Sequence, residues 1–199
     1  MIVRSLKPIL VLLLALSLPG CAGVIRPQVS QPELHRLQPA TQAWSCRHAF
    51  DRSLRIWDFS TVEPFNSNQM AVLTSNGTVF FSREHQWVSL PGVMTAQALQ
   101  EDLSRTDLFA AVVTGMPEVG TAYELSGRLL TFGCQRGQEG DRAVFRAQVS
   151  LHDQDRPQKP LLHRTYEVRS PPSDRFSPGG FGSAMNELVA RFFSRLRRD

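Results

Sequence analysis

The sequence predicts an α+β fold in which an antiparallel β-sheet carries two α-helices on one face, preceded by a lipidated flexible tether. Several segments alternate apolar and polar residues, as strands with one solvated face do. Two other segments carry apolar residues at helical spacing. The elements run in the order strand, hairpin, helix, several strands, helix, which favours helices segregated to one side of a sheet.

Residues 1–20 have the pattern of a secretory signal. Arg4 and Lys7 supply a positive start. The apolar run over residues 9–18 is about ten residues long, whereas a spanning helix needs roughly 20. Pro19-Gly20 ends the run. We therefore expect residues 1–20 to be removed from the mature protein.

A cysteine, Cys21, directly follows this signal. An ordinary signal peptidase needs small residues around its cleavage site and does not require a thiol there. The residues Leu18-Pro19-Gly20-Cys21 resemble the bacterial lipobox, in which cleavage precedes the cysteine and the thiol carries a diacylglycerol. The pattern predicts Cys21 as a lipidation site and a covalent lipid as the only bound group. The alternative is an ordinary secreted protein in which the thiol of Cys21 carries no lipid.

Residues 21–41 are predicted to form a flexible tether, and residues 42–199 a single periplasmic domain of ordinary size. Pro27, Pro32 and Pro39 interrupt any regular element in the tether. A semi-extended stretch of about 20 residues reaches on the order of 60 Å, at about 3.1 Å per residue. The domain could therefore stand clear of a membrane surface.

The first half of the domain is predicted to contain a strand, a hairpin and a helix. Residues 53–62 carry apolar side chains on both faces of a strand. Asn76-Gly77 separates two β-rich runs within residues 69–83, which predicts a hairpin. Over residues 90–106, apolar positions recur at spacings of three and four, which predicts an amphipathic helix. These positions are Val93, Ala96, Leu99 and Leu103.

The second half is predicted to contain strands and a final helix. The segments 109–114, 121–132, 142–153 and 161–170 read as strands, most of them alternating. The stretch before the last helix is rich in proline, glycine and serine. The helix then has an apolar stripe opposite several arginines. The stripe consists of Met185, Leu188, Val189, Phe192 and Leu196.

Charge and composition exclude a nucleic-acid partner. The full chain has 22 basic and 18 acidic residues, and loss of Arg4 and Lys7 with the signal lowers the formal net charge from +4 to about +2. Most basic residues are scattered, and a nucleic-acid-binding domain would show a basic patch or stripe. We interpret the scattered arginines as solvated faces.

Two cysteines remain after Cys21, and in an exported chain they form a candidate disulfide between Cys46 and Cys134. Such a bond requires Cα atoms within roughly 7 Å. The alternative uses Cys46, His48 and Cys134 as metal ligands, but no CxxC or HxxxH spacing completes a four-ligand set. The five histidines are isolated from one another along the chain. No metal site is expected.

No catalytic pattern is found. The nucleophile-elbow motif G-x-S-x-G is absent, and Gly180-Phe181-Gly182-Ser183 is interpreted as a loop and helix N-cap. Asp153 and Asp155 are interpreted as a solvated hairpin tip rather than an acid–base pair. No glycine-rich phosphate loop follows a strand. Trp87, at a strand-to-helix junction, fits either core packing or contact with a partner.

The chain resembles the ABC-type transport auxiliary lipoprotein family over roughly residues 54–193. The segments that carry the resemblance are NQMAVLTSNGTVFFSREHQWVSLPGVMTAQALQEDL and AYELSGRLLTF. Gln86-Trp87 and Leu103 fall at the family's aromatic motif and leucine-rich helix face. Members of the family accompany MCE-domain lipid transporters in Gram-negative envelopes.

The resemblance implies a non-catalytic periplasmic lipoprotein that docks onto the MCE protein of an ABC permease and ATPase. Its Cys21 lipid would anchor it to the outer membrane, and Ala22 fits outer-membrane sorting. One alternative is a structural lipoprotein that assists assembly of an outer-membrane component. Another is an envelope lipid hydrolase, which would need a reactive serine or metal. Self-association is left open.

Overall fold

A computed structural model describes residues 31–40, 50–115 and 120–199, and residues 32–199 form one compact unit. Cys21 and Cys46 lie outside the described residues. The α+β class is confirmed. The elements in chain order are β1 (Glu33–His35), β2 (Phe50–Ile56), β3 (Ser60–Thr61), β4 (Gln69–Thr74), β5 (Val79–Trp87), α1 (Pro91–Ser104), β6 (Phe109–Thr114), β7 (Tyr123–Gly137), β8 (Gly140–Asp153), β9 (Leu162–Arg169) and α2 (Pro178–Leu196).

The sheet is organised around β7, its longest strand. One edge of β7 pairs with β8 along the whole strand, and β8 pairs with β9. The other edge is shared by three shorter strands, with β2 at the start of β7, β3 in its middle and β4 at its end. Strand β6 extends the sheet beyond β2, while β5 and then β1 extend it beyond β4. The sheet therefore divides into two branches on this side of β7.

The prediction of a purely antiparallel sheet is corrected to a mixed one. The β7–β8–β9 meander and the β4–β5 hairpin are antiparallel. Strands β2, β3 and β4 run parallel to β7, β6 runs parallel to β2, and β1 runs parallel to β5. Side chains alternate with the same period in both kinds of pairing, so alternation in the sequence does not report strand direction.

The Asn-Gly hairpin is confirmed, with a turn that needs only one left-handed residue. The Gly77 N–H donates to the Thr74 carbonyl at 3.0 Å, and the Thr74 N–H donates to the Thr78 carbonyl at 2.9 Å. Gly77 has φ of 83°, and no described residue other than glycine has positive φ. The loop is therefore a type I turn closed by a left-handed glycine, and Asn76 keeps ordinary backbone geometry.

Both helices pack against the sheet and supply the core. The predicted stripe of α2 is buried along its whole length. Phe192 lies 4.9 Å from Phe145 of β8 and 5.4 Å from Tyr166 of β9, measured between ring centroids. In α1, Ala96, Leu99 and Leu103 are buried as predicted. Neither helix in the described part of the chain is both long and apolar enough to cross a bilayer.

Helix α2 begins earlier than the sequence indicated. It starts at Pro178, and the Ser177 hydroxyl caps it by accepting from the Gly180 N–H at 3.1 Å. The segment Gly180–Ser183, interpreted above as a loop and cap, therefore belongs to the helix itself. Pro at the first helical position behind a serine cap is a favourable start, and it outweighs the low helix propensity of the glycines.

Residues 33–37 correct the predicted tether, which was expected to extend to residue 41. Strand β1 pairs with β5, and the Val88 N–H donates to the His35 carbonyl at 2.9 Å. Leu37 is buried in the core. Pro32 and Pro39 lie on either side of this short strand and do not interrupt it. The sequence suggested a tether because the prolines are closely spaced and leave room for only a very short strand between them.

Candidate functional site

A largely apolar groove of about 690 Å³ lies beside the carboxyl ends of both helices. We call it the apolar groove. Its floor consists of core residues from β2, α1 and β7, namely Leu54, Leu103 and Leu125. Its rim includes Phe50, Phe109 and Leu161. The volume lies within the range of about 300–1,000 Å³ that is typical of ligand-binding clefts.

Two apolar side chains of the rim are exposed to solvent. Phe50 is 45% exposed, and Leu161 is 57% exposed. Leu161 directly precedes β9 and is held by a hydrogen bond from its N–H to the Leu151 carbonyl at 2.8 Å. Because they border a concave apolar surface, these side chains differ from the scattered exposed apolar residues of any protein surface.

An aromatic cluster fixes one side of the rim. The parallel register of β2 and β6 places Phe50 opposite Phe109, and their rings stack with centroids 5.3 Å apart. Tyr123 meets both rings edge-on, at 5.5 Å and 6.0 Å. The Arg52 guanidinium lies 5.6 Å from the centre of the Tyr123 ring. Offset and edge-on contacts of this kind hold the rings in place.

A buried ion pair closes the floor where the two helices meet. Arg197 Nη1 donates to both carboxylate oxygens of Asp102, at 3.0 Å and 2.9 Å. Both side chains are only 3% exposed. Burial raises the pKa of the Asp102 carboxyl, and the attraction of Arg197 offsets part of that rise. This pair holds the end of α2, and with it Leu196, against α1.

The carboxyl end of α2 is also tied to β9. Arg164 Nη1 donates to Asp199 Oδ1 at 2.6 Å, and the Tyr166 hydroxyl donates to Asp199 Oδ2 at 2.9 Å. Burial and the nearby carboxylate raise the pKa of the Tyr166 phenol, so it remains a donor at neutral pH. Charged groups are thus confined to one end of the apolar groove.

Most of the described residues that line the groove are apolar. The described residues that line it include no serine, cysteine or histidine. Its polar members are Arg197, Arg198 and Asp199, which do not form a nucleophile with a base behind it. The arrangement suits an apolar group with polar contacts at one end.

The structure places one of the two cysteines of the predicted disulfide. Cys134 lies buried in β7, opposite Ala143 of β8. Burial raises the pKa of its thiol to about 11. Cys46 lies outside the described residues, so the bond between the two stays a prediction. The lipidation of Cys21 stays a prediction for the same reason.

Trp87 is part of the core, which corrects the alternative that it contacts a partner. Its side chain is 1% exposed. The indole meets Phe132 of β7 edge-on at 5.2 Å and lies 5.8 Å from Phe181 of α2. Large aromatic residues at element junctions are commonly drawn inward by the area that they bury.

Two of the histidines interpreted as isolated are in fact neighbours. The imidazoles of His35 and His85 lie 3.1 Å apart between ring nitrogens, although 50 residues separate them in the chain. Asp155 lies in the predicted solvated turn, with its side chain 68% exposed and its N–H donating to the Asp153 carboxylate at 3.0 Å. Asp153 is instead the last residue of β8, and its side chain is 19% exposed. Sequence reasoning missed the rim of the apolar groove, because Phe50, Phe109 and Leu161 stand at element ends, where periodicity carries little information.

Comparison with known proteins identifies the domain. Residues 36–196 match the family model described as ABC-type transport auxiliary lipoprotein component. No curated protein sequence matches the chain significantly.

Solved structures share the fold at low identity. Protein XCC0632 from Xanthomonas campestris, of the family DUF330, is 16% identical with a TM-score of 0.71, over 82% of this chain and 91% of that one. A second, uncharacterised protein is 14% identical with a TM-score of 0.64, over 84% of this chain and 97% of that one. These likenesses show the fold.

Proposed function

Since the chain belongs to the ABC-type transport auxiliary lipoprotein family, we propose that it is a non-catalytic component of an ABC/MCE-type phospholipid transport system. In this proposal the domain docks onto the MCE-domain protein that works with the ABC permease and ATPase. The lipid on Cys21 anchors the domain to the periplasmic face of the outer membrane. The observation that carries the proposal is the family match over residues 36–196, which spans nearly the whole described domain.

The lining of the apolar groove supports a binding role. Its floor is built from core leucines, and two of its charged groups, Arg197 and Asp199, form ion pairs at one end. Neither feature supplies an activated nucleophile, which an envelope lipid hydrolase would need. A transport auxiliary component needs a contact surface instead.

We assign the apolar groove to apolar side chains of the MCE protein. Protein interfaces have an apolar, desolvated centre surrounded by a polar rim. Phe50 and Leu161 offer exposed apolar area beside the groove, while Arg198 and Asp199 border it with both signs of charge, and Arg164 pairs with Asp199. A border of mixed charge can pair with charges of both signs arranged on a protein surface.

The experiment is a pull-down of the tagged full-length protein from native envelopes in mild detergent, with mass spectrometry of the co-purifying proteins. We expect the wild type to recover an MCE protein with its permease and ATPase. Leu161→Asp should lower that recovery at least about tenfold, because a buried charge at an interface is costly. Leu161 is exposed in the free protein, so the variant should fold.

Leu34→Asp is the matched control. Leu34 is 58% exposed, against 57% for Leu161, and it lies in β1 outside the apolar groove. It should leave the recovery unchanged. Recovery of only an outer-membrane barrel would favour the assembly-factor alternative over the transporter component. Equal recovery with Leu161→Asp and wild type would overturn the assignment of the groove. Bound phospholipid lost only in Leu161→Asp would assign the groove to an acyl chain.

A further inference from the structure

The sheet edge farthest from the apolar groove brings three metal-ligating side chains together. Strand β1 pairs in parallel with β5, which sets Glu33 beside His85, with His35 two residues farther along the same face of β1. One ligand atom from each of Glu33, His35 and His85 lies within 4.8 Å of the other two. We call this group the edge cluster. It is distinct from every residue of the apolar groove.

The two imidazoles of the edge cluster point their nitrogens at each other. His35 Nε2 and His85 Nδ1 lie 3.1 Å apart, and the rings are tilted by 50° rather than stacked. The Glu33 carboxylate approaches the same two nitrogens, with Oε2 at 3.4 Å from His85 Nδ1 and Oε1 at 3.9 Å from His35 Nε2. Two ring nitrogens and both oxygens of one carboxylate thus converge on one small region. A proton shared between the rings leaves the carboxylate without a donor from this group, whereas a metal cation accepts lone pairs from both rings and from the carboxylate.

These separations match a tetrahedral metal site. Zinc bonds to imidazole nitrogen and carboxylate oxygen at about 2.0–2.2 Å, so adjacent ligand atoms of a tetrahedron lie about 3.3–3.6 Å apart. The 3.1 Å between the two ring nitrogens and the 3.4 Å from Glu33 Oε2 to His85 Nδ1 lie close to that spacing, while the other carboxylate oxygen, Oε1, lies 3.9 Å from His35 Nε2. Two imidazoles with one carboxylate form a ligand set that suits zinc and neighbouring divalent transition metals.

The surroundings give such an ion both support and access. The side chains of His35 and His85 are 13% and 17% exposed, whereas Glu33 is 68% exposed. The imidazoles are therefore held by packing, while the carboxylate can open toward solvent. The backbone N–H of His85 donates to the Ser82 hydroxyl at 3.1 Å, which fixes the strand at this point.

We propose that Glu33, His35 and His85 bind a divalent transition-metal ion, with zinc as its chemical type. The ion joins β1 to β5 through side chains, in addition to the backbone ladder between them. Strand β1 has only three residues and lies at the edge of the sheet. A metal bridge therefore stabilises the attachment to the sheet of a short strand that lies within the predicted tether.

The test is a titration of the full-length protein with Zn²⁺ alone, in detergent, after removal of metal by a chelator. Isothermal titration calorimetry should show one site per chain. Glu33→Gln should weaken binding at least about tenfold and, because Glu33 is exposed, should fold normally. His85→Ala should weaken binding further and abolish the rise in melting temperature that zinc gives the wild type.

Two variants separate this site from incidental zinc binding. His163→Ala removes an exposed imidazole that bonds to Ser150 at 2.7 Å, and it should leave the zinc affinity unchanged. Cys46→Ser should also leave it unchanged, because the site uses no thiol. A wild type without one-site zinc binding would overturn the proposal. Equal weakening by His163→Ala and His85→Ala would overturn it as well.

Discussion

At the scale of single residues, the Asp141 carboxylate near the start of β8 is a buried charge that is held by several hydrogen bonds. Arg136 donates to its two oxygens, from Nε at 3.0 Å and from Nη2 at 3.1 Å. The backbone of Asp141 also exchanges hydrogen bonds with Ser173, at 2.7 Å and 2.9 Å. The bond to Arg136 holds the pKa of Asp141 below its ordinary value, although burial opposes it. One buried residue therefore links the turn between β7 and β8 to the segment before α2.

Asp141→Asn should lower the free energy of unfolding by about 1.5–3 kcal/mol at pH 7, the range for hydrogen bonds to charged groups. Because folding lowers the pKa of Asp141, its ionised carboxylate stabilises the fold fully at pH values above 3.8, the ordinary pKa that the carboxyl has in the unfolded chain. That contribution is lost as the pH falls through the native pKa. Urea unfolding at pH 7 and at pH 3 should show the difference between variant and wild type narrowing in acid.

Asp155→Asn is the control for this prediction. Asp155 also pairs with an arginine, Arg52, at 2.9 Å, but its side chain is 68% exposed. Exposed pairs contribute roughly 0–1 kcal/mol. A loss in Asp155→Asn as large as that in Asp141→Asn would contradict the role given to burial.

At the scale of elements, the two helices depend on the ion pair that joins their carboxyl ends. Asp102 belongs to α1, and Arg197 immediately follows α2. Burying both charges costs solvation, which their two short hydrogen bonds recover only while both partners are present. Leu103 and Leu196, beside the two ends of this contact, both line the apolar groove. Helix packing and groove shape are therefore coupled.

Arg197→Met should lower the free energy of unfolding by about 3–5 kcal/mol, because it leaves the Asp102 carboxylate buried without its main partner. Burial already raises the pKa of Asp102, and Arg197 is the largest opposing influence. The loss should therefore shrink as the pH falls and the carboxyl takes up a proton. Chemical unfolding between pH 7 and pH 4 measures both effects.

Arg198→Met tests whether the loss depends on this particular arginine. Arg198 is exposed and donates from Nε to the Ser194 carbonyl at 3.1 Å, within its own helix end. Its replacement should change stability by no more than about 0.5 kcal/mol. Equal free energies of unfolding for Arg197→Met and Arg198→Met would contradict the role of the ion pair in holding the two helices together.

At the scale of the whole molecule, the proposed function needs a folded domain and a separate membrane anchor. The family match covers the domain, while the anchor depends on Cys21 and its lipobox. A single acyl chain binds membranes only marginally, whereas a multiply acylated cysteine anchors stably. Fold and attachment should therefore respond to different substitutions.

Cys21→Ala should leave the domain folded and shift the protein from the membrane fraction to the soluble periplasmic fraction. Fractionation of cells followed by immunoblotting measures the distribution, and the melting temperature of the released protein checks the fold. Cys46→Ser retains Cys21 and should stay with the membranes. A Cys21→Ala protein that still sediments with membranes would contradict the lipid anchor.

Local patterns in the sequence were sufficient for the type of most elements. Asn76-Gly77 predicted its hairpin because a turn needs a residue that tolerates positive φ, and Gly77 supplies it. The stripe from Met185 to Leu196 predicted a helix because its spacing of three and four matches the helical period, and every member is buried. These signals act between residues that are close in the chain. The α+β class and the family resemblance follow from them.

Contacts between distant residues were decided only by the tertiary structure. Alternation is the same in parallel and antiparallel strands, so the direction of β2 and β4 beside β7 could not be read from it. The meeting of His35 with His85 depends on the register of β1 against β5, which no local pattern encodes. The sequence by itself determined most of the segments that form strands and helices, because those signals are local, but it missed β1 and the first turns of α2. Packing determined which side chains became core, groove and edge cluster, because that depends on how the strands pair.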